Sequence, residues 1–151
     1  MQVIIAAVGR DRTGPTRDLF DDYRRRSPWP IRVVEITPRT SRPIERRLHE
    51  EADRLLQAVP PDALLVALDE AGRQLDSAGL ARRIARWREE YGTLAFVIGG
   101  PDGLARSVLD RAEATLAFGR MTWPHRLVRV MLAEQLYRAG TILAGHPYHR
   151  D

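Results

Sequence analysis

The chain contains no cysteine and no lysine. Without cysteine there is no disulfide framework, no thiolate metal site and no cysteine nucleophile. Without lysine there is no G-x-x-x-x-G-K-S/T phosphate loop. All 24 basic residues are therefore arginine, whose planar forks suit phosphate, although codon usage alone would produce the same bias. A G-x-S-x-G hydrolase elbow is also missing, and Ser107 falls inside a helical pattern. The only concentrated glycines, in GGPDG at 99–103, lack the G-x-G-x-x-G spacing of a dinucleotide site. His146 and His149 are three apart with Pro147 between them, which excludes a metal-binding pair on one helix face, so no metal is expected. The opening MQVIIAAVGRDR is too short for a membrane span and lacks a charged leader, which points to a soluble cytoplasmic protein and no membrane partner.

What is there fits a single domain spanning residues 1–151, long enough for one core and too short for two. The net charge of +4 is unevenly spread: residues 10–54 carry +3, residues 55–118 carry −2 and residues 119–151 carry +3. Three short runs are almost wholly apolar, VIIAAV at 3–8, ALLVAL at 63–68 and LAFVI at 94–98, as strands covered on both faces are. IRVVEI at 31–36 and ATLAF at 114–118 are two further candidates. Helical periods separate them. Leu19, Phe20 and Tyr23 mark a first helix, and Ile44, Leu48, Ala52, Leu55 and Val59 a second. Leu80, Ile84, Trp87 and Tyr91 mark a third, opened by an Asp76 cap, and Leu104, Val108 and Ala112 a short fourth. Alternating strands and helices predict an α/β fold, a mostly parallel sheet with helices on both faces.

The last helix, residues 125–143, is apolar around much of its circumference, which calls for cover on more than one side. A second subunit would supply it, as would a central position within one chain. Ligands of open parallel sheets sit beyond the carboxyl ends of the strands. Three segments collect there: LDEAG after the third strand, IGGPDG after the fourth and FGRMTWPHR after the fifth. Glycines there let backbone approach a ligand without an intervening Cβ, or serve packing alone, and Pro101 and Asp102 favour a tight turn. The tail, AGHPYHRD, joins a stiffening Pro147 to a stacking face on Tyr148 and donors on His149 and Arg150. That combination suits an unstacked base and its phosphate, where an ordinary terminus would fray.

VIGGPDGL, MTWPHRLVRVMLAEQLYRA, the terminal HPYHR and the opening IIAAVGR together resemble the RlmH family of SPOUT-class methyltransferases, in the same order and from residue 1 to residue 150. The resemblance implies methylation of N3 of a pseudouridine in 23S ribosomal RNA with S-adenosylmethionine as donor. It also implies a C-terminal trefoil knot and a homodimer with cofactor sites near the interface. Carried onto this chain, the cofactor-contacting positions are Leu68, Gly99, Gly100, Gly103, Gly119, Arg120, Met121, Thr122, Trp123 and Pro124. Arg120 and Trp123 stand where small or aliphatic residues are expected. Tyr148, His149 and Arg150 are the expected substrate contacts, and His149, Arg150 and Arg129 the candidates for the catalytic step, with His125 a further one. Two other readings remain: a SPOUT methyltransferase of another RNA base, and a ribosome-binding module without catalysis.

Overall fold

The computed structural model describes residues 1–150; Asp151 lies outside the described residues. Five strands, β1 (Gln2–Val8), β2 (Ile31–Ile36), β3 (Leu64–Gln74), β4 (Thr93–Ile98) and β5 (Ala114–Ala117), form one sheet in the order β2-β1-β4-β3-β5. Every neighbouring pair is parallel. The continuous apolar runs predicted as strands are β1, β3 and β4, and their buried positions face cores on both sides of the sheet. One core includes Phe20 of α1 (Pro15–Arg26), Leu80, Ile84 and Trp87 of α3 (Ser77–Glu90), and Leu132 and Leu136 of α5 (His125–Leu143). The other includes Ala52 and Leu55 of α2 (Ile44–Gln57) and Val108 of α4 (Arg106–Arg111). The Asp76 cap forms as predicted, its Oδ1 accepting the Gly79 N–H at 2.5 Å.

One expectation changes. The third strand does not stop at Leu68: it continues to Gln74, because its pairing with β5 jumps from Leu68↔Leu116 to Arg73↔Leu116. Residues 69–72 are the irregularity, and a Cβ on Gly72 would lie 2.5 Å from the Leu116 carbonyl carbon, so only glycine lets the two backbones close again. Of the two covers expected for helix α5, a central position within the chain supplies part. The helix lies between α1 and α3 over the sheet, and Val130, Leu132, Ala133, Leu136 and Ala139 are buried within the chain. Its close seat against the α1–β2 connection requires Gly140, where a Cβ would come within 2.4 Å of Pro28.

The order places β1 and β4 at the centre, with β2 reached on one side and β3 and β5 on the other. This is the switch point of an open parallel sheet, where the loops leaving neighbouring strands diverge and leave a crevice.

Candidate active site

A cavity of about 840 Å³, a crevice beyond the carboxyl ends of β3, β4 and β5, opens beside that switch point, within the range of small-molecule and cofactor pockets. Its walls are the β3 irregularity, the turn after β4 and the segment joining β5 to α5. Of the ten predicted cofactor positions, Leu68, Gly99, Gly100, Gly103, Gly119, Met121, Thr122, Trp123 and Pro124 line it; Arg120 is exposed and off the lining. Lining residues outside the three loop segments picked out by the sequence are Leu104, Leu116, Ala117 and Val128. They fall in strand and helix patterns that read as core, so nothing in the chain marked them as lining.

The turn after β4 follows from Pro-Asp-Gly. Gly100, Pro101, Asp102 and Gly103 form a β-turn closed by the Gly103 N–H donating to Gly100 O at 3.0 Å, with glycine at its fourth position. The three glycines do different things. A Cβ on Gly99 would sit 2.4 Å from the Gly103 carbonyl oxygen, and one on Gly100 would press on Val8 at 3.1 Å. These two serve packing of the turn against itself and against β1. Gly103, at φ +77, has no atom within 4 Å of where a Cβ would be, so it alone leaves open space. The β5–α5 segment is pinned by Thr122 Oγ1 donating to Glu70 Oε2 at 2.8 Å and by Trp123 Nε1 donating to Phe118 O at 3.1 Å. Met121 and Trp123 nevertheless remain 73% and 41% exposed, two large apolar side chains on the lining of an open crevice.

The electrostatics of the lining are one-sided. Asp69, Glu70 and Asp102 line the cavity and no arginine does, in a chain with 24 of them. Asp102 is paired with Arg47 of α2. Beside that pair the buried Glu51 carboxyl is pushed up from its ordinary range by burial, with Arg47 pulling it back and Asp102 adding to the push. A cavity so lined suits a cationic small molecule better than a phosphate.

His125, at the start of α5, is on the lining. Burial lowers its pKa from the usual 6.5, and the neighbouring Arg129 and Arg126 lower it further while Asp11 works against them. The imidazole is therefore neutral at pH 7 and able to accept a hydrogen bond or a proton. Arg129 itself does not reach the cavity. It is 3% exposed, and its guanidinium donates to Glu35 Oε1 (2.9 Å), Val8 O (2.9 Å) and Gly9 O (2.7 Å).

The tail residues lie elsewhere on the chain. Tyr148 packs edge-on against Tyr137 with ring centroids 4.7 Å apart, and its hydroxyl donates to Glu134 Oε1 at 3.1 Å. Arg138 lies over the Tyr148 ring at 4.8 Å and reaches His149 Nδ1 at 3.1 Å. His149 lines a second groove, of about 930 Å³, with Tyr23, Leu75, Leu80, Met131 and Glu134 among its other walls. Both cavities share residues 116–119 as a wall, but neither Tyr148 nor His149 borders the first, and Arg150 is exposed. Within one chain the predicted substrate contacts and the predicted cofactor contacts are thus neighbours rather than one site.

Residues 1–149 match a family model described as "Predicted SPOUT methyltransferase". A curated relative from Rhodospirillum centenum, named ribosomal RNA large subunit methyltransferase H, is 58% identical over 151 residues, covering 99% of each chain. Relatives of the same name from Paracoccus denitrificans and Nitrobacter winogradskyi are 49% and 46% identical, with 100% and 99% of each chain covered. Among solved structures, a probable methylase family protein from Haemophilus influenzae superposes with a TM-score of 0.61 at 11% identity, over 99% of this chain and 70% of that one, a likeness of fold. The order of strands, the crevice at their carboxyl ends and the full-length matches agree: the chain belongs to the SPOUT methyltransferase family.

Proposed function

We propose that this single-domain chain transfers a methyl group to N3 of a pseudouridine in 23S ribosomal RNA, in the cytoplasm, as a homodimer acting on assembled ribosomes. The observation that carries the reading is the crevice walled by residues 98–104, with three carboxylates and no arginine on its lining. S-adenosylmethionine bears a sulfonium and an ammonium, and the acidic lining, the open space at Gly103 and the main-chain groups of the turn fit such a ligand. Leu68, Gly99, Gly100, Gly103, Gly119, Met121, Thr122, Trp123 and Pro124 would hold it. When bound it supplies an electrophilic methyl group for in-line displacement by the ring nitrogen.

The chain's own work is then positioning and proton management. The imide N3 sheds a proton as it attacks, and His125, held neutral by burial and by Arg129 and Arg126, is the imidazole available on the lining to accept it. Tyr148, His149 and Arg150 remain the residues suited to stacking and phosphate pairing. They are docked beside the second groove rather than in the crevice, so a second copy covering that groove would bring one chain's tail toward the other's cofactor walls. Exposed Leu19, Met121, Trp123 and Leu127 supply apolar surface for that contact.

Methyl incorporation into ribosomal particles, measured beside calorimetric titration of S-adenosylmethionine and light scattering, tests all three parts. Cofactor binding without methylation of ribosomes would redirect the proposal to another RNA base. No cofactor binding would leave a ribosome-binding module, and a stable 17 kDa monomer at micromolar concentration would remove the dimer.

A further inference from the structure

Between β1 and α1 runs the short segment 9–14, with Gly9 at φ +91 and Gly14 at φ +107. Its central three residues alternate: Arg10 is exposed, Asp11 is 4% exposed and Arg12 is exposed. A surface loop with no apolar anchor is held here by charge. The Asp11 N–H donates to Glu35 Oε1 (2.9 Å), Thr16 Oγ1 donates to Asp11 Oδ2 (2.8 Å), and Arg17 Nη1 donates to Asp11 O (3.2 Å). Arg129 closes the cluster from α5 through the same Glu35 oxygen and the carbonyls of Val8 and Gly9. The arrangement is expensive, because buried ions lose hydration, and it is not fully repaid: Asp11 Oδ1 and Arg129 Nε are buried without hydrogen-bond partners. Apolar packing would stabilise such a loop as well, so the cluster's product is its geometry, with Asp11 inward and two arginines outward.

Those two arginines make no ion pair among the described residues, whereas Arg17, Arg24, Arg25 and Arg26 of the following helix all pair with Asp21 or Asp22. The loop also adjoins the crevice, since a Cβ on Gly9 would lie 3.2 Å from His125 Nε2. Arg126, 54% exposed at its side chain, approaches Asp11 Oδ1 only to 4.0 Å and adds a third cation on the same flank. The cavity lining itself excludes arginine.

We propose that the β1–α1 loop is the phosphate-binding arm of the RNA site: Arg10 and Arg12, fixed outward by buried Asp11 and Arg129 and the half-buried Glu35 that joins them, grip backbone phosphates flanking the nucleotide whose base enters the crevice. Arg129, Asp11 and Glu35 are positioning residues in this scheme. The inference rests on the RNA-methylating reading and deepens it by naming where the strand is held.

The test compares the full-length protein with its Arg10→Gln/Arg12→Gln variant, using ribosomes from a strain lacking the modification. Equilibrium binding of ribosomes is measured without cofactor across a salt series, with KM and kcat for methylation and cofactor affinity measured separately. Each phosphate contact to a single strand contributes about 0.7 to the slope of log affinity against log salt, so two lost contacts lower it by roughly 1.4. The expected result is that fall in slope, ribosome KM raised at least about tenfold, and kcat and cofactor affinity within about twofold. Arg10→Lys/Arg12→Lys restores the slope, because a point charge suffices for counterion release. Asp11→Ala keeps both arginines and raises ribosome KM while leaving cofactor affinity in place. An unchanged slope and KM in the glutamine variant overturns the arm. A parallel loss of cofactor affinity also overturns it, by making the loop a wall of the cofactor site. Failure of the wild-type protein to methylate ribosomes, with the slope still falling in the variant, sinks the reaction assigned above and leaves the arm standing.

Discussion

The crevice and the tail dock meet the same helix, and they are built from different materials. Around the crevice, side chains pin the β5–α5 segment, but the turn and the strand irregularity are closed by main-chain approach: a β-turn closed Gly103 to Gly100, a strand sealed at Gly72, and glycine positions where a Cβ has 2.4–3.1 Å of room. At the tail dock the contacts that hold Tyr148 against α5 are side chain on side chain or on a ring. Tyr148 meets Glu134, Tyr137 and Arg138, while Arg26 lies over Tyr137 at 4.4 Å. From His125 to Arg138 is thirteen residues of α5, about 20 Å at 1.5 Å per residue. A main-chain site tolerates changes of side chain and fails when a Cβ is added. A side-chain dock fails by truncation. The two regions should therefore be separable by mutation, and the ways to break that separation follow in order of size.

The largest effect belongs to Gly99→Val. Its Cβ would fall 2.4 Å from a backbone oxygen that cannot rotate away, so the turn must open. Overpacking of this kind costs typically 1–3 kcal/mol, and here the turn is the wall proposed to hold the cofactor. We expect cofactor binding lost to calorimetry while the tail dock persists. Gly103→Ala is the control: space is open there, and only the left-handed backbone at φ +77 opposes it, at roughly 1–2 kcal/mol. If Gly99→Val binds cofactor normally in a folded protein, the turn is not part of the site.

Deleting residues 147–151 comes next. Methylation of ribosomes should be abolished, because the groups proposed for stacking and phosphate pairing go with it. Cofactor affinity should stay within a few fold, about 1 kcal/mol or less, since no residue of the described tail borders the crevice. Loss of both activities together would merge the two regions into one site. A milder version is Tyr137→Ala, which removes the ring beneath Tyr148; aromatic pairs contribute about 0.5–1.5 kcal/mol beyond their buried area. It should release the tail without removing it. Faster protease cleavage near residue 145, at unchanged cofactor affinity, is the expected reading.

Much of this layout was legible in the chain. The apolar runs 3–8, 63–68 and 94–98 are strands because burial on both faces leaves no polar position to alternate with, and Pro101-Asp102-Gly103 announces its own turn. Where the reading stopped, the determining contact was distant in sequence. Glu70 and Gly72 lie in a strand extension that only pairing with Leu116 reveals, because 69–72 lacks any strand-like period. The apolar circumference of α5 is the same sequence signal whether a partner or α1 and α3 cover it. Arg129 reads as a free cation on a helix until Glu35, ninety-four residues away, takes its charge. A usable hint was present: Asp11 between Arg10 and Arg12 at the end of a buried strand is an inward acid among outward cations.

The smallest effect tests the crevice end by titration. His125 has its pKa lowered first by burial and then by Arg129 and Arg126, so the folded state resists a proton that the unfolded chain accepts near 6.5. A depressed pKa gives a contribution to stability that is whole above the unfolded value and is lost as pH falls through the folded one. Between pH 7 and pH 5 the wild-type denaturation midpoint should therefore drop more than that of His125→Asn, which has no proton to take up. Equal pH slopes for the two proteins would mean that His125 titrates as it does in water, and that the imidazole is not held neutral at the mouth of the crevice.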